Sequence, residues 1–286
     1  MPRDRSPRPL KKRAPQAPAL SPRGARSERG RGPKRADKGI GGEQLEGRQA
    51  VRELLRASKR EVREVLIEEQ RDPSPILEEI VELATTSGVT LRFVSSQELS
   101  ERSRTEVPQG VIAYARGLEP TSLEDLADMV KAGGSPGFVV VLDKVSDPHN
   151  IGAIMRSALS FGARGIVLPA HGASCVTPTV AKAAAGAIEH LEITLVPGTA
   201  GALVELRRAS IWTVGLDASG PIDLEECAVL AEPLALVIGS EGRGLAPLVQ
   251  SRCDVVARIA LFGPLASLNA ATAGAIACYV VSKARQ

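Results

Sequence analysis

The chain alternates short apolar runs with amphipathic stretches, most regularly in its second half. Short apolar runs, each followed by a segment whose apolar residues recur every three or four positions, are typical of buried parallel strands connected by helices. We therefore predict an α/β domain with a mostly parallel sheet over residues 138–286. Its predicted strands are residues 139–142, 165–168, 193–196, 211–216, 234–238 and 255–259. One helix is predicted to begin at Ile151, and further helices at residues 177–188, 200–208, 245–250 and 267–283.

A smaller α/β unit is predicted over residues 43–116. A unit of this size can form a compact domain, although a marginally stable one. Residues 117–137 contain several Pro and Gly residues around one short helix at 123–131, which indicates a linker. The smaller unit has helical patterns at residues 50–55 and 76–84, and strand patterns at residues 62–67, 89–94 and 110–114.

Positive charge is concentrated at the N-terminus. The net charge of +3 divides into +10 over residues 1–40 and −7 over the remainder. The N-terminal segment is rich in Pro, Gly, Arg and Ser and lacks aromatic residues, so we predict a disordered basic tail. Such a tail can bind the phosphates of a nucleic acid without reading its sequence, or it can serve only as a solvated extension. Aromatic residues make up 2% of the chain, which argues against base stacking as the main mode of nucleic-acid contact.

Several classes of protein and site are disfavoured by the sequence. No apolar run approaches the roughly 18 residues of a membrane span, and the N-terminus lacks the apolar core of a signal peptide. We therefore expect a cytoplasmic protein with no membrane partner. The cysteines have no C-x-x-C spacing and the histidines no ligand-like spacing, so no metal site is predicted. The sequence also lacks a P-loop, a G-x-G-x-x-G dinucleotide turn and a G-x-S-x-G nucleophile elbow.

Three polar clusters follow predicted strands or open predicted helices. The first reads NIGAIMR at residues 150–156, and its Arg156 points away from the apolar stripe of the helix. The second reads GSEGRGL at residues 239–245, and its glycines either allow the backbone to approach a ligand closely or form an ordinary turn between a strand and a helix. The third reads IALFGPLASLN at residues 259–269. Because ligands bind outside the carboxyl ends of parallel strands, these clusters are candidates for one site.

Taken in this order, the clusters resemble the three motifs of the SpoU family of RNA ribose 2′-O-methyltransferases, also called TrmH-like, of the SPOUT superfamily. The resemblance covers residues 138–283. The preceding domain, with GRQAV at residues 47–51 and PQGVIA at 108–113, is similar to the L30e-like RNA substrate-binding domain of the longer members. The order of the domains and the run DPHN at residues 147–150 are most similar to the branch that methylates a guanosine of 23S ribosomal RNA.

The resemblance implies features that the alternation of strands and helices cannot reveal. It implies a trefoil knot in the C-terminal domain, a homodimer whose active sites draw on both subunits, and S-adenosylmethionine as methyl donor. Pattern reasoning would not propose a knot, because knotted chains are rare. By position, the resemblance assigns contacts with the donor to Gly239, Ile259 and Leu268. It assigns catalysis to the other polar motif positions, which are Asn150, Arg156, Glu241, Ser267 and Asn269.

Arg156 occupies the position of the family's proposed base, which is awkward because a guanidinium normally stays charged. Transfer from a sulfonium to a ribose hydroxyl is an in-line displacement that needs alignment and removal of the hydroxyl proton, but no metal. We therefore hypothesise that Arg156 mainly orients the hydroxyl and the adjacent phosphate. Asn150 and Glu241 are expected to fix Arg156 and the loops. Ser267 and Asn269 are expected to shape the turn before the last helix and to reach substrate.

Two departures from the family pattern concern substrate contact. Ala271 stands where the family often has Ser, and LFGP at residues 261–264 replaces a turn that usually contains Pro-Met. The expected function is 2′-O-methylation of a ribose in RNA, most closely a guanosine of 23S ribosomal RNA. Two alternatives stay open: the same chemistry on transfer RNA, which the L30e-like domain disfavours, and an RNA-binding protein that has lost catalysis. Retention of the polar motif residues argues against the second alternative.

Overall fold

A computed structural model describes residues 40–70, 74–105, 107–132, 136–170, 176–264 and 267–286. These residues form two β-sheets with helices packed against them. Except for Ile40, the predicted basic tail lies outside the described residues, as does Cys175. No helix in the described ranges is long and apolar enough to cross a membrane.

The smaller sheet comprises β1 (Gln44–Glu46), β2 (Val62–Glu68), β3 (Thr90–Val94) and β4 (Val111–Ala115), with helices α1 (Arg48–Ala57), α2 (Pro75–Thr86) and α3 (Ser96–Arg102). The strand order is β1-β4-β2-β3, with β2 and β3 parallel and β4 antiparallel to both of its neighbours. Helices α1 and α2 pack on one face and α3 on the other. The sequence predicted this unit except for β1 and α3, which are too short for a periodic pattern to be recognised.

The larger sheet has seven strands, and every neighbouring pair is parallel. This confirms the predicted α/β domain with a mostly parallel sheet. The strands are β5 (Phe138–Leu142), β6 (Gly165–Pro169), β7 (Glu192–Val196), β8 (Trp212–Leu216), β9 (Ile222–Asp223), β10 (Leu234–Ile238) and β11 (Val255–Arg258). The helices around the sheet are α4 (Leu123–Lys131), α5 (Pro148–Ser160), α6 (Pro178–Ala183), α7 (Thr199–Arg208), α8 (Pro247–Gln250) and α9 (Ala270–Lys283).

Both faces of the larger sheet are buried, and β5 shows why its sequence has no polar position. Phe138, Val140 and Leu142 belong to the core cluster formed with α5, α6 and α9. Val139 and Val141 point the opposite way, into the cluster formed with α4, α7 and α8. All five side chains are at most 1% exposed. A strand covered on both sides therefore needs a continuous apolar run rather than an alternating one.

The strand order places three strand ends side by side. It is β7-β6-β5-β10-β8-β11-β9, so β10 lies between β5 and β8 although it follows both in sequence. The loops that leave the carboxyl ends of β5, β8 and β10 therefore meet at one edge of the sheet, where such sheets bind ligands. The order is compatible with the trefoil knot that the resemblance implies, and the knot itself stays a prediction.

One predicted helix is shorter than its apolar pattern suggested. The helix predicted at residues 177–188 ends at Ala183. Ala185 and Gly186 have φ values of 50° and 86°, which lie in the left-handed region and interrupt the α-helix. A short 3₁₀ turn, Ala187–Glu189, follows.

The last helix and the predicted linker also differ from the sequence prediction. The last helix begins at Ala270 rather than at Ser267, because Asn269 adopts a non-helical conformation and caps it. The segment predicted as a linker, residues 117–137, carries α4, whose buried apolar side chains join the core of the larger sheet. This part of the segment therefore packs as a covering helix of that sheet.

Candidate active site

The loop after β10 folds back on itself as a tight hairpin. The amide of Gly244 donates to the carbonyl of Ser240 over 2.9 Å, and the amide of Ser240 donates to the carbonyl of Gly244 over 3.1 Å. Gly242 and Gly244 have φ values of 74° and 63°, which favour glycine. A Cβ atom at Gly239 would lie 2.2 Å from the carbonyl carbon of Gly244. The glycines therefore close the hairpin and leave backbone groups open to a ligand.

Two aspartates hold this hairpin from either side. The Asp143 carboxylate, after β5, accepts a hydrogen bond from the amide of Ala246 over 2.8 Å. The Asp217 carboxylate, after β8, accepts one from the amide of Leu245 over 3.4 Å. Burial raises the pKa of Asp217, but hydrogen bonds from Ser219 and from the amide of Leu245 outweigh burial, and the pKa lies below its ordinary value. Asp217 therefore stays charged at neutral pH.

The sequence prediction assigned neither aspartate to the site, although a signal was present. Asp143 directly follows the last residue of the buried strand β5, and Asp217 directly follows β8, whose last four residues are buried. A polar residue at that place in a parallel sheet lies at the edge where ligands bind. Neither aspartate belongs to the three motifs of the resemblance. Their position directly after a strand was therefore the signal from which the sequence could have assigned them to the site.

Side chains from all three polar clusters meet beside the hairpin. The side-chain nitrogen of Asn269 donates to Oδ1 of Asn150 over 3.1 Å and to Oε2 of Glu241 over 3.0 Å. The side-chain nitrogen of Asn150 donates to the same Glu241 oxygen over 3.3 Å. Each of the three side chains contacts the other two, so segments far apart in sequence are tied together at one point.

The starts of two helices set the positions of the asparagines. Asn150 lies in the first turn of α5, whose N-cap Asp147 accepts a hydrogen bond from the amide of His149 over 3.1 Å. Asn269 is the N-cap of α9, and its side-chain oxygen accepts from two amides of the first turn, including that of Ala271. Because the helix engages this oxygen, the side-chain nitrogen of Asn269 is left to donate to the other two site residues. The departure at Ala271 leaves the cap intact.

A cavity of about 220 Å³ lies beside the hairpin. Its wall includes Gly239, Ile259 and Leu268, the three residues that the resemblance assigns to the methyl donor. Glu241 and Ser267 also line it, so two of the residues assigned to catalysis face the same space. Glu241 thus belongs both to the cavity and to the cluster with the asparagines.

The chemistry of the cavity wall fits a ligand that has both apolar surface and a positive charge. Leu216, Ile238 and Leu261 supply apolar surface. Asp217 and Glu241 place two carboxylates on the wall beside one guanidinium, that of Arg243, so the wall carries a net negative charge that favours a positive group on the ligand. The glycine hairpin adds backbone surface, since Gly239, Gly242 and Gly244 all line the cavity.

Arg156 lies on the exposed side of α5, as its spacing predicts. It does not line the cavity of its own chain. Within the described ranges its guanidinium has no hydrogen-bond partner, although its carbonyl accepts from the hydroxyl of Ser160. Arg156 is therefore the one residue assigned to catalysis that this chain keeps apart from the converging clusters and leaves available to a partner or ligand.

In the part of the chain that the structure describes, no group of three or more His, Cys, Asp or Glu residues could hold a metal ion. Cys227, Cys253 and Cys278 are free thiols. Burial raises the pKa of both Cys253 and Cys278 to about 12, so these two remain protonated at neutral pH.

Two family profiles match the chain, one for each sheet. The SpoU rRNA Methylase family matches residues 137–279, which is half of the chain and includes the three polar clusters. A second family, described as RNA 2′-O ribose methyltransferase substrate binding, matches residues 44–121, which contain the smaller sheet.

Individual relatives and solved structures are similar over both sheets. A chain of Bacillus subtilis named for the TrmH family of tRNA/rRNA methyltransferases is 39% identical over 73% of this chain and 83% of its own length. The 23S rRNA (guanosine-2′-O-)-methyltransferase RlmB of Coxiella burnetii is 34% identical over 84% of this chain and 95% of its own length. The crystal structure of the SpoU methyltransferase AviRb from Streptomyces viridochromogenes, in complex with the cofactor AdoMet, superposes with a TM-score of 0.70 at 27% identity. The superposition covers 85% of this chain and 89% of that one.

Proposed function

The chain belongs to the SpoU rRNA Methylase family, and on this premise we propose that it transfers a methyl group from S-adenosylmethionine to the 2′-hydroxyl of a ribose in RNA. The observation that supports the proposal best is the mutual contact of Asn150, Glu241 and Asn269 beside a glycine-walled cavity. The substrate-binding family match over residues 44–121 supports RNA as the second ligand.

S-adenosylmethionine supplies a methyl group carried on a positively charged sulfur. We propose that Gly239, Ile259 and Leu268 bind it, largely through backbone groups of the hairpin and the adjacent turn. The carboxylates of Asp217 and Glu241 complement its positive charge. The AdoMet complex of the similar AviRb structure supports this choice of donor.

The polar side chains have three further roles, which are alignment of the cavity, contact with the RNA and stabilisation of the reacting oxygen. Asn150, Glu241 and Asn269 hold the starts of α5 and α9 against the hairpin, which aligns the cavity with the incoming ribose. Ser267 lies on the cavity wall and contacts the RNA. Arg156 orients the ribose hydroxyl and the adjacent phosphate, and its charge stabilises the oxygen as the proton leaves.

A homodimer accounts for the separation of Arg156 from the cavity of its own chain. The surface where the end of α5 meets α9 is partly aromatic, because Tyr279, on α9, is 53% exposed and contacts Phe161, just after α5, edge-on. Phe262, in the loop before α9, is 99% exposed. Contiguous exposed apolar residues mark surfaces that bind another protein. We propose that a second copy covers this surface and that each active site takes its arginine from the partner.

We propose a guanosine of 23S ribosomal RNA as the substrate. The RlmB relative of Coxiella burnetii is named for that activity, and it matches 84% of this chain across both sheets. Such a substrate is consistent with the cytoplasmic location expected from the sequence. Transfer RNA is the second candidate, because the Bacillus subtilis relative is named for tRNA and rRNA together.

The test of this function is methyl transfer from labelled S-adenosylmethionine to unmethylated RNA. Ribosomal and transfer RNA are supplied separately, and alkali-resistant linkages are mapped, because a 2′-O-methyl group protects the following phosphodiester. We expect label in one guanosine of the ribosomal RNA. Label confined to transfer RNA would favour the second candidate. RNA binding without label in either substrate would favour a protein of the same fold that has lost catalysis.

A further inference from the structure

A lysine of the larger sheet's domain reaches a loop of the smaller one. Lys182, near the end of α6, donates to the hydroxyl of Thr105 over 3.1 Å and to the carbonyl of Val107. Both acceptors lie in residues 103–109, between α3 and β4. The described residues of this segment form neither helix nor strand. This segment is called the 103–109 loop below. An irregular loop takes its position from such contacts rather than from a ladder of backbone hydrogen bonds.

A buried carboxylate holds the 103–109 loop from its other side. Glu46, at the end of β1, is 0% exposed. It accepts hydrogen bonds from the hydroxyl of Ser103 over 2.7 Å, from the amide of Arg104 over 2.6 Å and from both the amide and the hydroxyl of Thr105. Burial raises the pKa of Glu46, but these hydrogen bonds outweigh burial and lower it, so the carboxylate stays charged. The Thr105 hydroxyl therefore donates to Glu46 and accepts from Lys182.

The helix that carries Lys182 packs without free space against the helix that carries Asn150. A Cβ atom at Gly152 would lie 2.4 Å from the Cβ atom of Ala183 and 2.7 Å from the amide nitrogen of Ala184. Gly152 is in α5, two residues after Asn150. Close-packed contacts transmit displacement, so a shift of α6 must move the start of α5. A series of contacts thus runs from the 103–109 loop through Lys182 and α6 to the helix that carries the active-site asparagine.

We infer that Lys182 is a positioning residue that fixes the substrate-binding domain relative to α5 and thereby determines which ribose of a bound RNA reaches the cavity. The inference rests on the proposed function, because it concerns the placement of the RNA substrate. RNA bound by the smaller domain is presented to a site on the larger domain. The orientation of the two domains therefore sets the distance from the RNA-binding surface to the reacting hydroxyl. A misplacement of about 1 Å can lower a rate by about a hundredfold.

The variant Lys182→Met keeps the aliphatic stem and removes the ammonium group that binds the 103–109 loop. Lys182→Arg is the conservative variant, since it retains the charge and the donors. Lys59→Met is the matched control, because Lys59 also bridges the two domains, through an exposed ion pair of 3.0 Å with Glu192 that is not part of the loop contacts. The measurements are kcat/KM on an unmethylated ribosomal RNA fragment, the position of the methyl group, and the affinity for S-adenosylhomocysteine.

We expect Lys182→Met to lower kcat/KM by about tenfold to a hundredfold and to spread the methyl group onto neighbouring riboses, with S-adenosylhomocysteine affinity unchanged. Lys182→Arg should restore most of the rate and the single methylated position, and Lys59→Met should behave as the wild type. A Lys182→Met variant with wild-type kcat/KM and one methylated position would overturn the inference. An equal loss in Lys59→Met would also overturn it, because the whole interface would then set the orientation.

A readout that needs no RNA separates this inference from the proposed function. Amide hydrogen exchange should become faster in the 103–109 loop and in the first turn of α5 in Lys182→Met, but not in Lys59→Met. Unchanged exchange in both segments would contradict the role of Lys182 even if the enzyme methylates ribosomal RNA. Faster exchange in an enzyme that methylates no ribosomal RNA would instead count against the proposed substrate alone.

Discussion

Arg156 is the residue whose removal should separate catalysis from donor binding. It is exposed on α5 and lies outside the cavity wall of its own chain. The variant Arg156→Ala should therefore leave the affinity for S-adenosylmethionine unchanged while lowering single-turnover methyl transfer by about a hundredfold or more, the size of effect expected when a group that stabilises developing charge is lost. Arg208→Ala, which removes another exposed arginine on α7, is the control and should retain activity. Unimpaired turnover in Arg156→Ala would refute the proposed role.

Asn269 has two roles that different substitutions can separate. Its side-chain oxygen caps α9, and its side-chain nitrogen contacts Asn150 and Glu241. Asn269→Ala loses both and should lower the free energy of unfolding by about 1 kcal/mol. Asn269→Ser can still cap the helix but cannot donate through an amide nitrogen, so it should lose methyl transfer with little change in stability. Full activity in the serine variant, measured beside thermal unfolding, would show that the contact with the other two residues is dispensable.

Between elements, a buried ion pair joins the smaller sheet's domain to the 3₁₀ turn before β7. Arg60 and Glu189 are 1% and 0% exposed and 2.9 Å apart, and Arg60 also donates to the carbonyls of Gly42 and Arg116. Arg60→Met leaves a carboxylate buried without its partner and should lower the free energy of unfolding by about 3–5 kcal/mol in urea titrations at pH 7. Adding Glu189→Leu should recover part of that loss. If Arg60→Met proves no more destabilising than Lys59→Met, the pair contributes nothing beyond a surface contact.

The loss from Arg60→Met should also depend on pH. Burial raises the pKa of Glu189, although Arg60 lowers it, and the pKa lies above its ordinary value of 4.5. A carboxyl with a raised folded-state pKa holds its proton more tightly when folded, so stability falls as the pH rises through the interval between the two pKa values. Because Arg60 lowers the pKa of Glu189, its removal raises the folded-state pKa further and widens the interval between the folded and unfolded pKa values. The destabilisation should therefore be smaller near pH 5 than at pH 7.

Helix packing around α5 offers a matched pair of glycine substitutions. Gly152 has no room for a Cβ atom against α6, whereas nothing lies within 4 Å of a Cβ atom at Gly201 in α7. Gly152→Ala should lower the free energy of unfolding by about 1–3 kcal/mol through overpacking. Gly201→Ala should be neutral or stabilising by up to about 1 kcal/mol, because alanine favours the helix. A Gly152→Ala variant as stable as Gly201→Ala would show that α5 and α6 can move apart without loss of folding stability.

The elements that the sequence predicted best are those with a strong pattern. The all-apolar run of β5 and the periodic helices identified the larger domain. Periodicity failed where backbone conformation decided the outcome, as at Ala185 and Gly186, where left-handed residues end α6. It also failed for β1, whose three residues are buried although Gln44 and Glu46 are polar. The Gln44 side chain donates to Glu46 and to the carbonyl of Arg102 at the end of α3, and Glu46 accepts from the 103–109 loop. Such long-range partners cannot be read from local sequence.

For the whole molecule, the N-terminal tail leads to a prediction that rests on its charge. Residues 1–40 carry a net charge of +10 and the remainder −7. Removing residues 1–39, which carry all of this charge and leave Ile40 in the core, should weaken RNA binding more at low salt than at high salt, because phosphate contacts release counterions and are screened by added ions. Filter binding or fluorescence anisotropy over a salt series measures the RNA affinity of the full-length and of the truncated chain. An equal loss at every salt concentration would contradict an electrostatic tail.

At this scale the sequence predicted the α/β class but not the arrangement of the strands. The placement of β10 between β5 and β8 depends on pairings between segments far apart in the chain. The convergence of Asn150, Glu241 and Asn269 follows from that placement, and the resemblance to a known family was what indicated it. The roles of Asp143 and Asp217 became apparent only from the distances between strand ends and the hairpin.

The central claim is that three separated polar turns form one cavity that presents a methyl donor to a ribose oxygen. The most direct measurement is a crystal structure of the protein with S-adenosylhomocysteine. The account predicts that the ligand lies against Gly239, Ile259 and Leu268 of one subunit, with the guanidinium of the partner subunit's Arg156 facing its sulfur. A ligand bound elsewhere, or an Arg156 remote from the sulfur in both subunits, would contradict it.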